Sequence, residues 1–574
     1  MKLFKFLKNL IFGTVIFIIK EIFSFFIKLV LMSILLLIII GVFNKYSAQK
    51  EKNNLKIEKG SYIVIDLGNK YSEKSETIPN FLKDGEINFF SLLKKLDSIN
   101  SNPNVEGIFL KLDNITLDRA QIEELGSKLN ILKENNKKIL SFALNLNNRN
   151  YSLALNSNEI IMPPTMSANV NLTGYYSELA YYKGLADKFG VKFNVIHVGD
   201  YKSYGENFTK KEMSNEYREN IKRLHDKIYD NFLNKIIIER KINKELINDR
   251  ILNGDFVFSE PHQMEKFHFI DKLAYEEDIF NTIGKKKLIP IEKYQETKIN
   301  SPEKIAIIYG EGSILLSSEK GSIGNSITPD KISNEIDKAL ENPEIKGIVL
   351  RLNSPGGSAL ASNIIHHKLK EANKQKPIYI SVGGVAASGG YYIAVSGNKI
   401  FADKESITGS IGVVSLIPNF NGLMKKLDIN IETVKKGKYS DLFSLTKDFT
   451  EEDEEKIYAS SFKVYSEFLD IVAQGRELDR DYVHSIAQGK VWLGEEAKNL
   501  KLIDEIGGLE LTINTLAKDL KLSNYEVIEI VESDSFETIL KQYLPFKTLI
   551  QNFSSLDENN ELFFKPSYFF PYNL

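Results

Sequence analysis

One stretch of this chain is written twice. Asn102-Pro103-Asn104-Val105-Glu106-Gly107-Ile108-Phe109-Leu110-Lys111-Leu112 returns about 240 residues later as Asn342-Pro343-Glu344-Ile345-Lys346-Gly347-Ile348-Val349-Leu350-Arg351-Leu352. The same offset pairs Tyr151-Ser152-Leu153-Ala154 with Tyr391-Tyr392-Ile393-Ala394. Further on, Gly199-Asp200-Tyr201-Lys202 pairs with Gly437-Lys438-Tyr439-Ser440, and Phe269-Ile270-Asp271 with Leu502-Ile503-Asp504. Matches that recur in order at offsets of 233 to 240 residues mean a duplicated domain, so the fold must be one that can be built twice in tandem.

Hydrophobic patterning says which fold. The first copy reads as strand Tyr62–Leu67, helix Phe89–Ile99, strand Gly107–Leu112, helix Leu117–Glu134, strand Lys138–Ala143 and helix Tyr151–Asn156. The second reads as strand Ile305–Tyr309, helix Asp330–Leu340, strand Gly347–Leu352, helix Ser358–Ala372, strand Ile378–Val382 and helix Ser388–Ser396. Repeated βα units imply an α/β fold with mostly parallel pairing. The expected units are residues 61–300 and 301–530, meeting near Pro302, after a polar linker over 46–60. Residues 531–574 form an aromatic-rich extension that includes Phe563 to Tyr572. Packing on the domain is the first reading of that extension, with membrane or neighbour contact as the alternative.

At 574 residues and 43% hydrophobic content the chain can bury more than one core. Its net charge of −2 supplies no field for nucleic acid or an acidic substrate. The absence of cysteine removes thiol catalysis, disulfides and cysteine zinc sites. Seven scattered histidines without an HExxH pattern give no reason to expect a metal centre.

Near the N-terminus, Leu29 to Phe43 is apolar and uncharged. Alone it makes about 22 Å of helix, short of a bilayer core of about 30 Å. Extending back to Ile22 gives about 33 Å at the cost of Lys28, which can snorkel from near one interface. Lys2, Lys5, Lys8 and Lys20 precede the span and place the N-terminus in the cytoplasm. The expectation is one uncleaved anchor within residues 1–45, the rest of the chain lying outside. Residues 9–19 form a second apolar stretch, suited to an interfacial helix. A cleaved signal peptide is the alternative, although the Ala48 region is a poor small-x-small site.

The chemistry is sought where the two copies differ. Ser388 aligns with Asn148, and Gly356-Gly357 with Thr116-Leu117. The asymmetry reverses elsewhere, where Lys202 faces Ser440. One copy keeps a serine and the other a lysine. Ser388 sits at a strand-to-helix turn, where free N–H groups and the helix dipole favour developing negative charge. An N-cap serine flanked by small residues is the alternative there. A serine nucleophile needs a base, usually histidine, but none follows Ser388 before His484. A lysine serves if burial lowers its pKa by about 3–5 from about 10.4. Lys202 lies among aromatic and short polar residues, with Asp200 opposing the shift if it faces the amine; a solvated surface lysine is the alternative. Ser354-Pro355-Gly356-Gly357-Ser358 opens a helix after a strand. Its glycines either let backbone N–H groups approach a substrate carbonyl or make an ordinary turn. It is no phosphate loop, since no Gly-Lys-Ser/Thr follows. In Thr408-Gly409-Ser410-Ile411-Gly412, the Ser410 hydroxyl could orient a neutral lysine.

Together the motifs Ser354-Pro355-Gly356-Gly357, Ala386-Ala387-Ser388-Gly389-Gly390-Tyr391 and Thr408-Gly409-Ser410-Ile411-Gly412 resemble the long-form signal peptide peptidase A family of ClpP/crotonase-like serine peptidases. The resemblance covers nearly the whole chain, apart from about the first 20 residues and the aromatic extension. It implies two tandem ClpP/crotonase-like domains and a Ser–Lys dyad, with Ser388 as nucleophile and Lys202 as general base. It further implies an oxyanion N–H at Gly357 with Gly389 as a candidate second, and Ser410 beside the lysine amine. In the family's short form the lysine lies in the serine-bearing unit; here that place is Ser440, as in the long form. The resemblance implies no cofactor and no nucleic acid, but cleaved signal peptides and other short hydrophobic or unfolded chains as substrates. It also implies a homotetramer, held in the inner membrane by a single N-terminal span with its catalytic domains outside the cytoplasm. Two alternatives share the fold: an inactive membrane scaffold, and a crotonase-type acyl-CoA enzyme.

Overall fold

The computed structural model describes residues 57–74, 87–297, 299–317 and 325–530, with six helical positions between Phe25 and Leu36. The expected anchor, the interfacial stretch and the aromatic extension lie outside the described residues, apart from those six positions. Among the described residues no helix is long and apolar enough to cross a membrane.

Each copy of the repeat builds its own sheet. The first runs, edge to edge, Lys272–Leu273, Glu159–Met162, Lys138–Phe142, Val105–Lys111, Ser61–Asp66, Leu288–Pro290, all parallel. The second runs Val491–Leu493, Ile407–Gly409, Ile378–Ala387, Ile345–Ser354, Lys304–Glu311, Glu526–Ile530, with Lys399–Ala402 and Glu505–Ile506 branching from the Ile378–Ala387 strand. Only its Val491–Leu493 edge is antiparallel. The twice-written motif forms the same interior strand in both sheets, and its apolar run suits a strand covered on both faces. Apolar clusters centred on Ile63, Ile108 and Leu125 in one copy, and Ile308, Ile348 and Ile365 in the other, form separate cores.

The duplication extends to individual hydrogen bonds. Tyr151 donates its hydroxyl to the Phe269 carbonyl at 2.9 Å, and Tyr391 donates to that of Leu502 at 2.6 Å. Asp271 accepts Ile160 N–H and pairs with Arg240; Asp504 accepts Ile400 N–H and pairs with Arg476. Both arginines close a 26-residue helix, Asn215–Arg240 or Glu451–Arg476.

Two expected elements differ in instructive ways. The helix drawn from Leu117 starts at Arg119, because Asp118 caps it: its carboxylate accepts Gln121 N–H while Gln121 returns the bond. The strand drawn to Val382 continues to Ala387. Gly383 and Gly384 do not end it; they mark where it changes partner, from Lys399–Ala402 to Ile407–Gly409. That change carries the chain on to Ser388.

The halves are joined by an antiparallel ribbon of one strand from each, Lys192–Val198 and Val413–Asn419, with Val198 opposite Val413. Lys202 follows the first strand by four residues, and Ser410 precedes the second by three. The ribbon thus fixes the lysine-bearing half on the serine-bearing half where both strands end.

Candidate active site

Ser388 sits between the strand Ile378–Ala387 and the short helix Gly389–Ala394, at φ 54° and ψ −120°. Its N–H donates to the Gly409 carbonyl at 2.8 Å and its carbonyl accepts Tyr392 N–H, so both backbone groups are tied down. Its hydroxyl makes no capping bond, which removes the N-cap reading. A left-handed φ at a serine is strain that the surrounding bonds must hold, and here it frees Oγ for another partner.

That partner is Lys202. Its Nζ lies 2.9 Å from Ser388 Oγ, 3.0 Å from Ser410 Oγ and 2.8 Å from the Ser410 carbonyl oxygen. Lys202 is 6% exposed, and burial alone lowers its pKa from 10.5 to about 7. Asp200 contributes nothing to that shift. Hydrogen-bond geometry then assigns roles to a neutral amine. The Ser410 carbonyl can only accept, so it takes one N–H. The Ser410 hydroxyl can accept the other, leaving the lone pair to take the Ser388 proton. Among the described residues no histidine or carboxylate is bonded to either group.

The paired-glycine turn packs against Ser388. A Cβ on Gly356 would stand 2.8 Å from Ser388 Cβ and 2.9 Å from Gly389 N; one on Gly357 would collide with the Ile314 backbone. Ile314 pins this turn by donating to the Gly356 carbonyl and accepting Ser358 N–H. Gly357 has φ +153°, and its N–H lies 3.4 Å from where a Gly389 Cβ would be. Neither the Gly357 nor the Gly389 N–H donates to another group among the described residues. Two converging, unspent donors beside a serine are what an oxyanion requires.

In the first half these positions are filled with different residues. Asn148 donates to the Gly174 carbonyl and accepts Thr173 N–H, stitching backbone together. Leu117, opposite Gly357 in the repeat, is buried. Ser440, opposite Lys202, is exposed, and its hydroxyl donates to the Gly437 carbonyl. Every residue singled out in the sequence therefore meets in one place: Ser388, Lys202, Gly357, Gly389 and Ser410. The sequence reading missed the Ser410 carbonyl and the Ile314 strand, because main-chain groups carry no residue signature. An apolar cavity of about 430 Å³, lined by Tyr182, Leu185, Phe189, Phe193 and Phe208, lies by the ribbon's far end, about 17 Å of strand from Val198, which precedes the lysine by four residues.

Comparison with known proteins follows the same division into halves. The family model for Peptidase family S49 matches residues 131–288 and 370–523, just over half the chain. "Protease 4" of Salmonella typhi is 30% identical over 461 residues, covering 77% of this chain and 74% of that protein. "Serine protease SPPA, chloroplastic" of Arabidopsis thaliana is 27% identical over 508 residues, 85% of this chain and 73% of that one. A shorter relative from Enterococcus faecium, "Putative signal peptide peptidase SppA", is 37% identical over 196 residues, 34% of this chain and 57% of its own length.

Proposed function

This chain belongs to peptidase family S49, and on that premise we propose that it is a serine endopeptidase working through a Ser388–Lys202 dyad. The observation that carries the reading is the 2.9 Å contact between a buried, partnerless-by-charge amine and the Ser388 hydroxyl. Neutral Lys202 takes the hydroxyl proton as Ser388 Oγ attacks the scissile carbonyl. The N–H groups of Gly357 and Gly389 receive the oxyanion. As the tetrahedral species collapses, the Lys202 ammonium returns that proton to the departing amine. The freed lysine then deprotonates water, which attacks the acyl-serine ester and restores Ser388 Oγ–H through Lys202. Ser410 holds the amine aimed throughout.

Substrate, setting and assembly belong to the same proposal. The substrates are remnant signal peptides and other short hydrophobic or unfolded chains, a reading supported by the printed name of the Enterococcus relative. The apolar N-terminal stretch supports a single inner-membrane span with the two catalytic units, meeting near Pro302, outside the cytoplasm. A homo-oligomer, a tetramer by resemblance, is supported by two exposed segments that the repeat matches to the ribbon strands but that form no ribbon of their own among the described residues. The counterparts of the ribbon are residues 173–179 and 430–436, which carry no strand partner among the described residues. Tyr176 and Val434 stand in the open on them. One copy's 430–436 against another's 173–179 would repeat the internal ribbon head to tail.

The deciding experiment is turnover of a fluorogenic apolar peptide by the wild type, Ser388→Ala and Lys202→Ala. Each variant should fold, by circular dichroism, and lose at least about 10⁴-fold in kcat. Retained turnover in either sinks the dyad.

A further inference from the structure

Lys202 reaches Ser388 because of what is missing behind it. Three glycines from three separate segments crowd one junction behind it, and one of them, Gly489, lies against its main chain. A Cβ on Gly199 would lie 2.7 Å from the Gln488 carbonyl carbon. One on Gly412 would lie 3.0 Å from the Val198 oxygen and 3.1 Å from Gly489 Cα. One on Gly489 would press on Lys202 itself, 2.5 Å from its N and 2.7 Å from its Cα and Cβ. Hydrogen bonds lace the junction: Tyr201 N–H to the Gln488 carbonyl at 2.8 Å, Gly489 N–H to that of Ile411 at 2.8 Å, and Ser410 N–H to that of Lys490 at 2.6 Å. The turn Gln488-Gly489-Lys490 therefore grips both partners of the Nζ–Ser410 contact at once. Gly199 and Gly412 stand in the repeat and site motifs, but the chemistry above gives them no part.

We propose that Gly489 is a positioning residue of the reaction: its missing side chain lets the Lys202 backbone sit back far enough for Nζ to meet Ser388 Oγ in a dry pocket. The proposal rests on the dyad reading. Its rival is that Gly489 is needed only for its backbone angle, φ +78°. The repeat separates the two. Gly254 follows the helix Lys244–Leu252 much as Gly489 follows Arg480–Ile486, and has φ +80°. Around it the nearest contact for a Cβ is Val257 Cγ2 at 3.6 Å, with no lysine behind. Backbone angle accounts for Gly254; at Gly489 an approach closer than any Cβ allows comes in addition. Gly412 is the complementary case, since it crowds the same junction without a left-handed φ.

The test compares the full chain with Gly489→Ala, Gly489→Asn, Gly412→Ala, Gly254→Ala and Lys202→Ala, reading kcat, KM, the pH profile and the melting temperature. Asn tolerates left-handed φ better than Ala, so it separates angle from space. Gly489→Ala and Gly489→Asn should both lose roughly 10–100-fold in kcat, with KM nearly unchanged, as about 1 Å of misplacement does. The acidic limb of the profile, where the lysine must lose its proton, should move to higher pH as water reaches the amine. Gly412→Ala should show the same signature more weakly, and it decides the matter if the Gly489 variants do not fold. Gly254→Ala should keep wild-type kcat and limb. Wild-type kcat in Gly489→Asn, or an unmoved limb in all three junction variants, overturns the proposal. Turnover in Lys202→Ala overturns the dyad instead, and so tells the two failures apart.

Discussion

At the scale of single residues, burial without an opposite charge makes Lys202 a destabilising group. Its folded pKa of about 7 lies below its ordinary 10.5, so between those values the unfolded chain binds more protons than the folded one. Stability therefore rises with pH across that window, and the full penalty, on the order of 4–5 kcal/mol, is present at and below about pH 7. Lys202→Met should raise the melting temperature near pH 7 while abolishing turnover. That gain should shrink as pH approaches 10, and thermal melts over a pH series read it directly. The wild type's kcat/KM should climb through about pH 7 as the amine loses its proton. Ser388 and Lys202 were legible in the sequence because each breaks the repeat where the other copy keeps it. Gly489 was not legible, since its role lies in a distance to a main chain 287 positions away in sequence, and a lone glycine in a turn has many ordinary reasons to be there.

At the scale of elements, the strand Ile345–Ser354 carries more than the turn at its end. Arg351 on it is fully buried and bridges the halves. It forms a bidentate pair with Glu73 at 3.0 Å, meets Glu124 at 2.5 Å and donates to Ser381 Oγ on the strand leading to Ser388. Glu124 also accepts Leu509 N–H, and Asp403 beside it is pushed well above the usual carboxylate range by burial and by Glu124. Removing the guanidinium strands these carboxylates in a dry seam. Arg351→Met should cost roughly 3–5 kcal/mol in urea unfolding. Its repeat counterpart Lys111 makes half-exposed pairs with Asp66 and Glu276, and Lys111→Met should cost no more than about 1 kcal/mol. Equal losses would mean that the buried cluster does not join the halves. The sequence showed Arg351 and Lys111 as equivalent because a repeat match reports strand position, and burial is decided by what the other half lays over it.

At the scale of the whole molecule, the βα order was legible from period and turn residues, and both parallel sheets follow from it. The ribbon between halves was not, because Lys192–Val198 pairs with a strand more than 200 residues on and no local pattern announces such a partner. The repeat counterparts of its two strands, residues 173–179 and 430–436, form no strand among the described residues. If residues 430–436 dock on 173–179 of a second copy, light scattering should give a mass above one chain, and Val434→Lys should shift it toward the monomer. An unchanged mass in that variant would place any assembly elsewhere.

The split of the dyad across the repeat also sets a clock. Lys202 leaves the ribosome 186 residues ahead of Ser388, about ten to forty seconds at ordinary rates of synthesis. Through that interval the emerging lysine-bearing half has no nucleophile, and the serine, once made, has no base until the ribbon zips. On the proposed dyad, the two reacting groups meet only when that tertiary contact closes.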